Sequence, residues 1–186
     1  MRCKRQGPPK QSRIVERAYK QPARCLSAFT TIPNGDVLTG INKRIECVNL
    51  QLACSCGSGE FEILGHPMAS LTYPDQNIFA AVISLICQSC GKLEQLFDPD
   101  HDGYNGEIDS SAGVIGTGEL KPFICPECGM TTFHPGVSLE YSIDDEEMED
   151  WEELGERPQD FFTWFSLYGK CAKCGHVTEV TDYECA

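Results

Sequence analysis

Residues 87–91 read CQSCG, residues 125–129 read CPECG and residues 171–175 read CAKCG; a fourth, shorter stretch, CSCG, covers residues 54–57. Each is a close pair of cysteines followed at once by glycine. Two thiols two residues apart at the tip of a tight turn present both sulfurs to one ion. The residue after the second cysteine sits where positive φ is needed, and glycine takes that conformation without steric cost. The order is pair, long gap, pair, and then the same again, which makes two sets of four: Cys54, Cys56, Cys87 and Cys90, then Cys125, Cys128, Cys171 and Cys174. Four thiolates are the ligand set of a closed, tetrahedral structural zinc site.

The gaps between pairs are 30 residues (Cys56 to Cys87) and 42 residues (Cys128 to Cys171), longer than the common zinc spacing of about 15–20. Doubling a loop costs only about 0.6 kcal/mol of closure entropy. A structural zinc ion contributes about 10–16 kcal/mol, so the metal term dominates. The alternative is disulfide bonding. Residues 1–30 lack the apolar core of an export signal, so a cytoplasmic, reducing location is expected, where disulfides are disfavoured. No apolar run approaches the ~20 residues of a membrane span, and no membrane contact is expected. Iron fits the same thiolate cage as a lesser alternative to zinc.

Between the cysteine turns lie short runs rich in β-branched and aromatic residues, bounded by Gly, Pro and Asp, which read as strands. In the first half they are 47–53, 60–64, 78–86 and 92–97; in the second, 120–124, 137–143, 161–168 and 176–181. The plan repeats, which points to two copies of one small unit. With CQSCG, CPECG and CAKCG, and more weakly CSCG, the chain resembles the zinc-ribbon (rubredoxin-like) superfamily over residues 47–97 and 120–182. That resemblance implies cysteine turns at the ends of β-hairpins, clasping one metal per copy. It implies no function, since one scaffold serves many.

The expected organisation is therefore mainly β. A flexible basic N-terminal arm (1–44) precedes two tandem zinc-ribbon modules of short antiparallel strands (45–110 and 119–186) that hold two structural zinc ions. The short CSCG pair leaves Cys47 or His66 as an alternative fourth ligand to Cys54, and sites formed between the halves are an alternative to sites within them. Cys3, Cys25, Cys47 and Cys185 have no partner spacing and read as free thiols.

Charge is divided along the chain. Residues 1–44 carry ten Lys/Arg and two acids, a net of +8; residues 45–186 carry five and twenty-six, a net of −21. An acidic body repels phosphate backbones and attracts basic surfaces, so the expected partner is a protein with a basic face. Residues 1–24 are the place where nucleic acid would be contacted, or they dock on the chain's own acidic body. The densest acidic run is the insertion 144–156, DDEEMEDWEELGE. Met148, Trp151 and Leu154 recur there at helical spacing, and Glu149, Asp150, Trp151, Glu152 and Glu153 form the expected partner-binding patch. Trp151, Phe161, Phe162, Trp164, Phe165 and Tyr168 lie close together and read as core, with an exposed aromatic docking face as the alternative.

Residues 98–109 place Asp98, Asp100, Asp102, Gly103 and Asp109 as in a calcium-binding EF-hand loop. Asn105 stands where an aliphatic residue normally packs, and no helix-forming stretch follows, so a plain acidic turn is the better reading. No catalytic motif is found: no H-E-x-x-H, phosphate loop, dinucleotide fingerprint or nucleophile elbow. Expected functions are a non-enzymatic acidic binding module (an inhibitor or immunity-type protein is one version), a nucleic-acid-associated factor, or a rubredoxin-like electron carrier.

Overall fold

A computed structural model of the chain describes residues 12–39, 41, 46–67, 79–104, 118–143 and 145–185. The protein is mainly β. Among the described residues nine antiparallel strands share one curled sheet: β1 (Thr30–Pro33), β2 (Cys47–Ala53), β3 (Phe61–Pro67), β4 (Phe79–Cys87), β5 (Leu93–Phe97), β6 (Lys121–Pro122), β7 (Thr132–Glu140), β8 (Trp164–Cys171) and β9 (Val177–Glu184). Two helices accompany them, α1 (Arg13–Lys20) and α2 (Asp145–Glu153). Among the described residues no helix is long and apolar enough to cross a membrane.

The two halves are built alike. Each has a leading strand, a cysteine turn, a hairpin, a second cysteine turn and a closing strand: β2, β3, β4 and β5 in the first, β6, β7, β8 and β9 in the second. The leading strands are exchanged. Leu50 and Lys121 each lie four residues before the first cysteine of their half; Val137 and Gly65 each lie nine after the second. Leu50 pairs with Val137, and Lys121 pairs with Gly65. Thus β2 extends the second half's sheet and β6 the first half's. Phe61 and Phe133, five residues beyond the second cysteine in each half, pair with each other. The two copies are therefore related by a pseudo-two-fold axis at that pair.

Strand β7 is the hub. One edge pairs with β8 from Phe133 to Glu140. The other pairs with β3 at Thr132 and Phe133, then with β2 from Gly136 to Glu140. Pro135 sits where the second edge changes partner, so its missing N–H removes no ladder bond on that edge. The His134-Pro135-Gly136 run reads from sequence as a break, which is why a strand is expected only from residue 137; the observed strand begins five residues earlier. The match is closest for β2, which spans the expected 47–53.

Alternation along the strands sets two faces. Phe133, Val137 and Leu139 of β7, Phe165 and Leu167 of β8, and Val48, Leu50 and Leu52 of β2 are fully buried. Aromatic rings fill the centre. Phe97 stacks on Phe165 with centroids 4.1 Å apart, and Phe123 bridges Phe79 and Phe133 edge-on at 5.1 and 5.5 Å. Of the aromatics expected in the core, Phe162 and Phe165 are buried, while Trp151, Phe161, Trp164 and Tyr168 are half-buried.

The stretch expected to be a flexible arm differs from that expectation within its described part. Residues 13–20 form α1, which buries Ile14, Val15 and Ala18. These positions repeat at helical spacing (i, i+1, i+4), and the high charge of RIVERAYK masked that stripe. Tyr19 ties the helix to the sheet: its hydroxyl accepts from the Asn49 N–H at 3.1 Å and donates to Asn34 Oδ1 at 3.2 Å. Residues 1–11, where the rest of the expected nucleic-acid contact falls, lie outside the described residues.

Candidate metal centres

The structure brings the eight cysteines together in two sets of four, each within one half of the chain. In each set all four sulfurs lie within 4.8 Å of one another. Cys54 and Cys90 are 3.6 Å apart, as are Cys56 and Cys87. In the second set the distances are 3.6 Å (Cys125 to Cys174) and 3.5 Å (Cys128 to Cys171). A disulfide is about 2.05 Å long, so none of these pairs is bonded. A tetrahedron with zinc–sulfur bonds of about 2.3 Å has edges of about 3.8 Å, close to the spacing seen. Both sets therefore fit a metal ion such as zinc. Neither Cys47 nor His66 joins a set. Cys47 Sγ lies 4.0 Å from Glu140 Oε2, and His66 Nδ1 is buried without a hydrogen bond.

The turns explain how the sulfurs converge. In the regular turns the glycine N–H bonds the carbonyl of the first cysteine four residues back: Gly91 to Cys87, Gly129 to Cys125 and Gly175 to Cys171, each at 2.9 Å. The N–H of that first cysteine in turn bonds a carbonyl five residues on, at Lys92, Met130 or His176. The short turn keeps this plan with one residue fewer. Gly57 N–H bonds the Cys54 carbonyl three residues back at 2.8 Å, and Cys54 N–H bonds the Ser58 carbonyl at 2.8 Å. Gly57 and Gly175 take φ of +91° and +73°, with open space where a Cβ would point. The conformation, not lack of room, calls for glycine there.

Within every turn the first cysteine is buried, while the second is exposed, or half-buried in the case of Cys128. Main-chain donors and neighbouring sulfurs, rather than burial, set the acidity of Cys87, Cys90, Cys171 and Cys174. Burial pushes Cys87 up, but the N–H groups of Cys90 and Ser89 and the sulfurs of Cys56 and Cys90 outweigh it, lowering it to about 6. Cys171 behaves alike: burial is outweighed by the N–H groups of Cys174 and Lys173 and the sulfurs of Cys128 and Cys174, and it falls to about 7. Cys54 is lowered chiefly by the single N–H of Cys56, because the short turn offers one such donor where the regular turn offers two. Cys90 goes the other way. The Lys92 N–H favours its thiolate, yet the sulfurs of Cys87 and Cys54 push it up to about 12. Cys174 is likewise pushed up to about 12, the His176 backbone N–H being outweighed by burial and the sulfurs of Cys128 and Cys171. Four thiolates so close repel one another, and a divalent cation among them reverses that repulsion and releases the remaining protons.

The remaining described cysteines stand apart. Burial pushes the Cys25 thiol well up and that of Cys185 up to about 12, which leaves them unreactive at neutral pH. Cys3 lies outside the described residues. Asp98, Asp100 and Asp102 form a self-bonded turn: the Asp98 N–H donates to Asp102 Oδ2 at 2.9 Å, and the Asp100 N–H to Asp98 Oδ1 at 3.1 Å. Asp109, the last position of the calcium-like pattern, is outside the described residues.

The acidic insertion forms α2. Met148 is buried, Trp151 half-buried and Leu154 78% exposed, so the apolar stripe is covered only in part. Trp151 stacks on Tyr104 at 6.0 Å and meets Phe161 edge-on at 4.2 Å. Two acids of the expected patch face the chain's own basic helix. Arg13 pairs with Glu149 at 2.7 Å and Arg17 with Glu152. Beside them, Arg24 and Arg157 share Asp160 at 2.9 and 3.1 Å.

The sequence matches no protein-family profile, and no curated protein or solved structure is detectably similar to it.

Proposed function

We propose that each tetracysteine set holds one zinc ion as a closed structural site, and that the protein is a non-enzymatic, zinc-ribbon-like binding module for a protein with a basic surface. The observation that carries this reading is the pair of complete thiolate tetrahedra at the turns of one shared sheet. Four protein ligands leave no position for water or substrate on the metal, so the ion supplies rigidity rather than chemistry. What a rigid scaffold then offers is its surface, and here that surface is acidic, at −21 over residues 45–186. Electrostatic complementarity of this size speeds encounter with a cationic partner and discriminates against anionic ones. An inhibitor or immunity-type protein that masks a basic partner is one concrete form.

Pairing of Arg13, Arg17 and Arg24 with carboxylates of the body weighs against their gripping phosphates, which favours this reading over a nucleic-acid-associated factor. It also means that Glu149 and Glu152 already have a basic neighbour in cis. The test is to isolate a captured basic protein, purify it, and measure its affinity for the chain at low and high salt. The reading predicts an affinity that falls steeply with salt and no comparable binding of duplex DNA or RNA. Salt-independent binding, or tighter binding to nucleic acid, overturns it.

A further inference from the structure

The outer face of the first half carries an apolar surface that the metal centres do not use. Strand register places Thr132, Glu62, Ile86 and Leu93 opposite one another across β7, β3, β4 and β5, so all four project from one face. Leu64 and Pro122 form the adjoining row. Ile124 follows Pro122 on the same side, with the buried Phe123 turned inward between them. Leu93 is 57% exposed and Ile124 51%, while Leu64 and Ile86 are half-buried. Met130, also exposed, lies beside Ile124, because the Cys125 N–H bonds its carbonyl at 2.8 Å. Across the pseudo-two-fold axis the equivalent positions are Ala53 for Ile124, Gly136 for Leu64, Lys170 for Ile86 and Val177 for Leu93. On that face the chain covers itself. Val37 and Leu38, from the helical turn Asp36–Leu38, are buried against Gly136, where an added Cβ would lie 3.0 Å from Leu38 and 3.1 Å from Val37. Ala53 is 8% exposed. The first half's face carries larger apolar side chains and leaves them open.

We propose that this face is the docking surface for a cationic, amphipathic segment of the basic partner. Its aliphatic side chains lie on Leu93, Ile86, Leu64 and Ile124, and its lysines or arginines meet Glu62 and Glu60. The inference rests on the binding-module reading and deepens it by naming the surface. A contiguous open apolar patch marks an interaction site, and charge selects the occupant. Glu62 sits half-buried within the apolar row. Glu60, two residues before it, projects to the same side, the ladder being continued by the Gln88 N–H to the Glu60 carbonyl at 2.9 Å. Neither carboxylate pairs with a described cation. Lys121 alternates to the opposite side, as do Lys92 and Glu94, which pair with each other at 2.6 Å. A half-buried carboxylate without a counter-charge is costly. A cation docked over it offsets that cost, while the aliphatic contacts around it exclude water. A second copy of this chain would bring the same two carboxylates to the face and be repelled.

The probe is the acetylated, amidated pentapeptide Lys-Leu-Lys-Leu-Lys, with Glu-Leu-Glu-Leu-Glu and Lys-Ser-Lys-Ser-Lys as controls for charge and for apolar contact. Binding is read from the methyl signals of Leu93, Ile86 and Ile124 in an NMR titration of the full, metal-loaded chain. The first peptide is expected to shift all three saturably and the controls to leave them unmoved. Leu93→Ser, at a largely exposed site, weakens that binding by roughly three- to ten-fold. Glu62→Gln weakens it several-fold, and both variants keep the circular dichroism of the parent chain. Equal shifts with either control overturn the proposal. So do shifts of these methyls on concentrating the chain alone, which give the face to a second copy. Saturable movement confined to other sites, such as the Leu154 methyls beside α2, also overturns it but leaves the basic-partner reading standing. No movement anywhere overturns it too, and the basic-partner reading is then decided by the salt dependence of the captured protein.

Discussion

The two halves reach the same four-sulfur geometry by different local routes. The second half uses two regular C-x-x-C-G turns; the first combines one regular turn with CSCG. Sulfur separations are nevertheless 3.6 and 3.6 Å in the first and 3.6 and 3.5 Å in the second. The missing residue is absorbed by moving the glycine bond from the fourth residue back to the third. What changes is how many main-chain N–H groups favour the thiolate of the first cysteine, one at Cys54 and two at Cys87. Cage geometry tolerates a shortened turn; the donor supply around the sulfur is what it reduces. The halves differ again in the sheet: β7 of the second half pairs with β8, β3 and β2, and β3 of the first with β4, β6 and β7, but β3 meets β6 and β7 over two residues each, whereas β7 meets β2 over five.

Removal of a buried ligand tests this asymmetry with the largest effect. Cys171→Ser breaks the cage beside the hub strand, and the loss, on the order of 10 kcal/mol, rivals the total stability of a small domain. Circular dichroism should show global loss of structure. Cys54→Ser, in the half with fewer main-chain donors and a less connected strand, should leave the second half's strands protected from hydrogen exchange. Equal global unfolding by both variants would break the comparison.

Next in size is the pseudo-axis. Phe61→Ala and Phe133→Ala remove equivalent, fully buried rings, and each should cost about 3–5 kcal/mol by denaturant titration. Phe133, in contact with Phe123 and on the hub strand, is expected at the upper end. A cost below that of an ordinary surface substitution at either site would contradict the exchanged-strand arrangement.

Much of this was legible in the sequence, and the rest has physical reasons for being hidden. The cysteine pair of each turn follows from spacing, because a turn that aims two sulfurs at one point is a local event; which two turns share an ion is decided by the sheet. The exchange of β2 and β6 is not local: antiparallel strands of similar pattern pair with either neighbour, and only tertiary packing chooses. Helix α1 was hidden because its apolar positions, Ile14, Val15 and Ala18, are interleaved with arginines and a glutamate that dominate composition. The Thr132–Glu62–Ile86–Leu93 row was invisible because its members lie on four strands and meet only through strand register.

Smaller effects sharpen the contrast between the turns and between the acidic surfaces. Gly175→Ala forces a Cβ onto positive φ and should cost about 1 kcal/mol in thermal unfolding of the metal-loaded protein. Inserting one residue after Ser55, to make the short turn regular, should keep two metal ions bound and add a second N–H to Cys54, seen as tighter metal retention against a chelator. Arg17→Ala removes a partly exposed pair with Glu152 and should cost no more than about 1 kcal/mol, with the difference shrinking at high salt.

Smallest is a pH effect. Burial, partly opposed by the Asp98 N–H, raises the Asp102 carboxyl, and the charges of Asp98 and Asp160 raise it further. A carboxyl raised in the folded state favours folding when protonated, and that contribution is lost as pH rises through its folded pKa. Asp102→Asn should therefore raise the melting temperature at neutral pH and lose that advantage below the unfolded carboxylate value of about 3.9.

The most direct test of the central claim is metal stoichiometry of the purified chain by elemental analysis, together with the visible spectrum of the cobalt-substituted protein. The account predicts two zinc ions per chain, no colour before substitution, and cobalt bands of two tetrahedral tetrathiolate sites after it. One ion or none would contradict the two-cage architecture. Iron with a red colour would keep the cages and replace the binding-module reading with electron transfer.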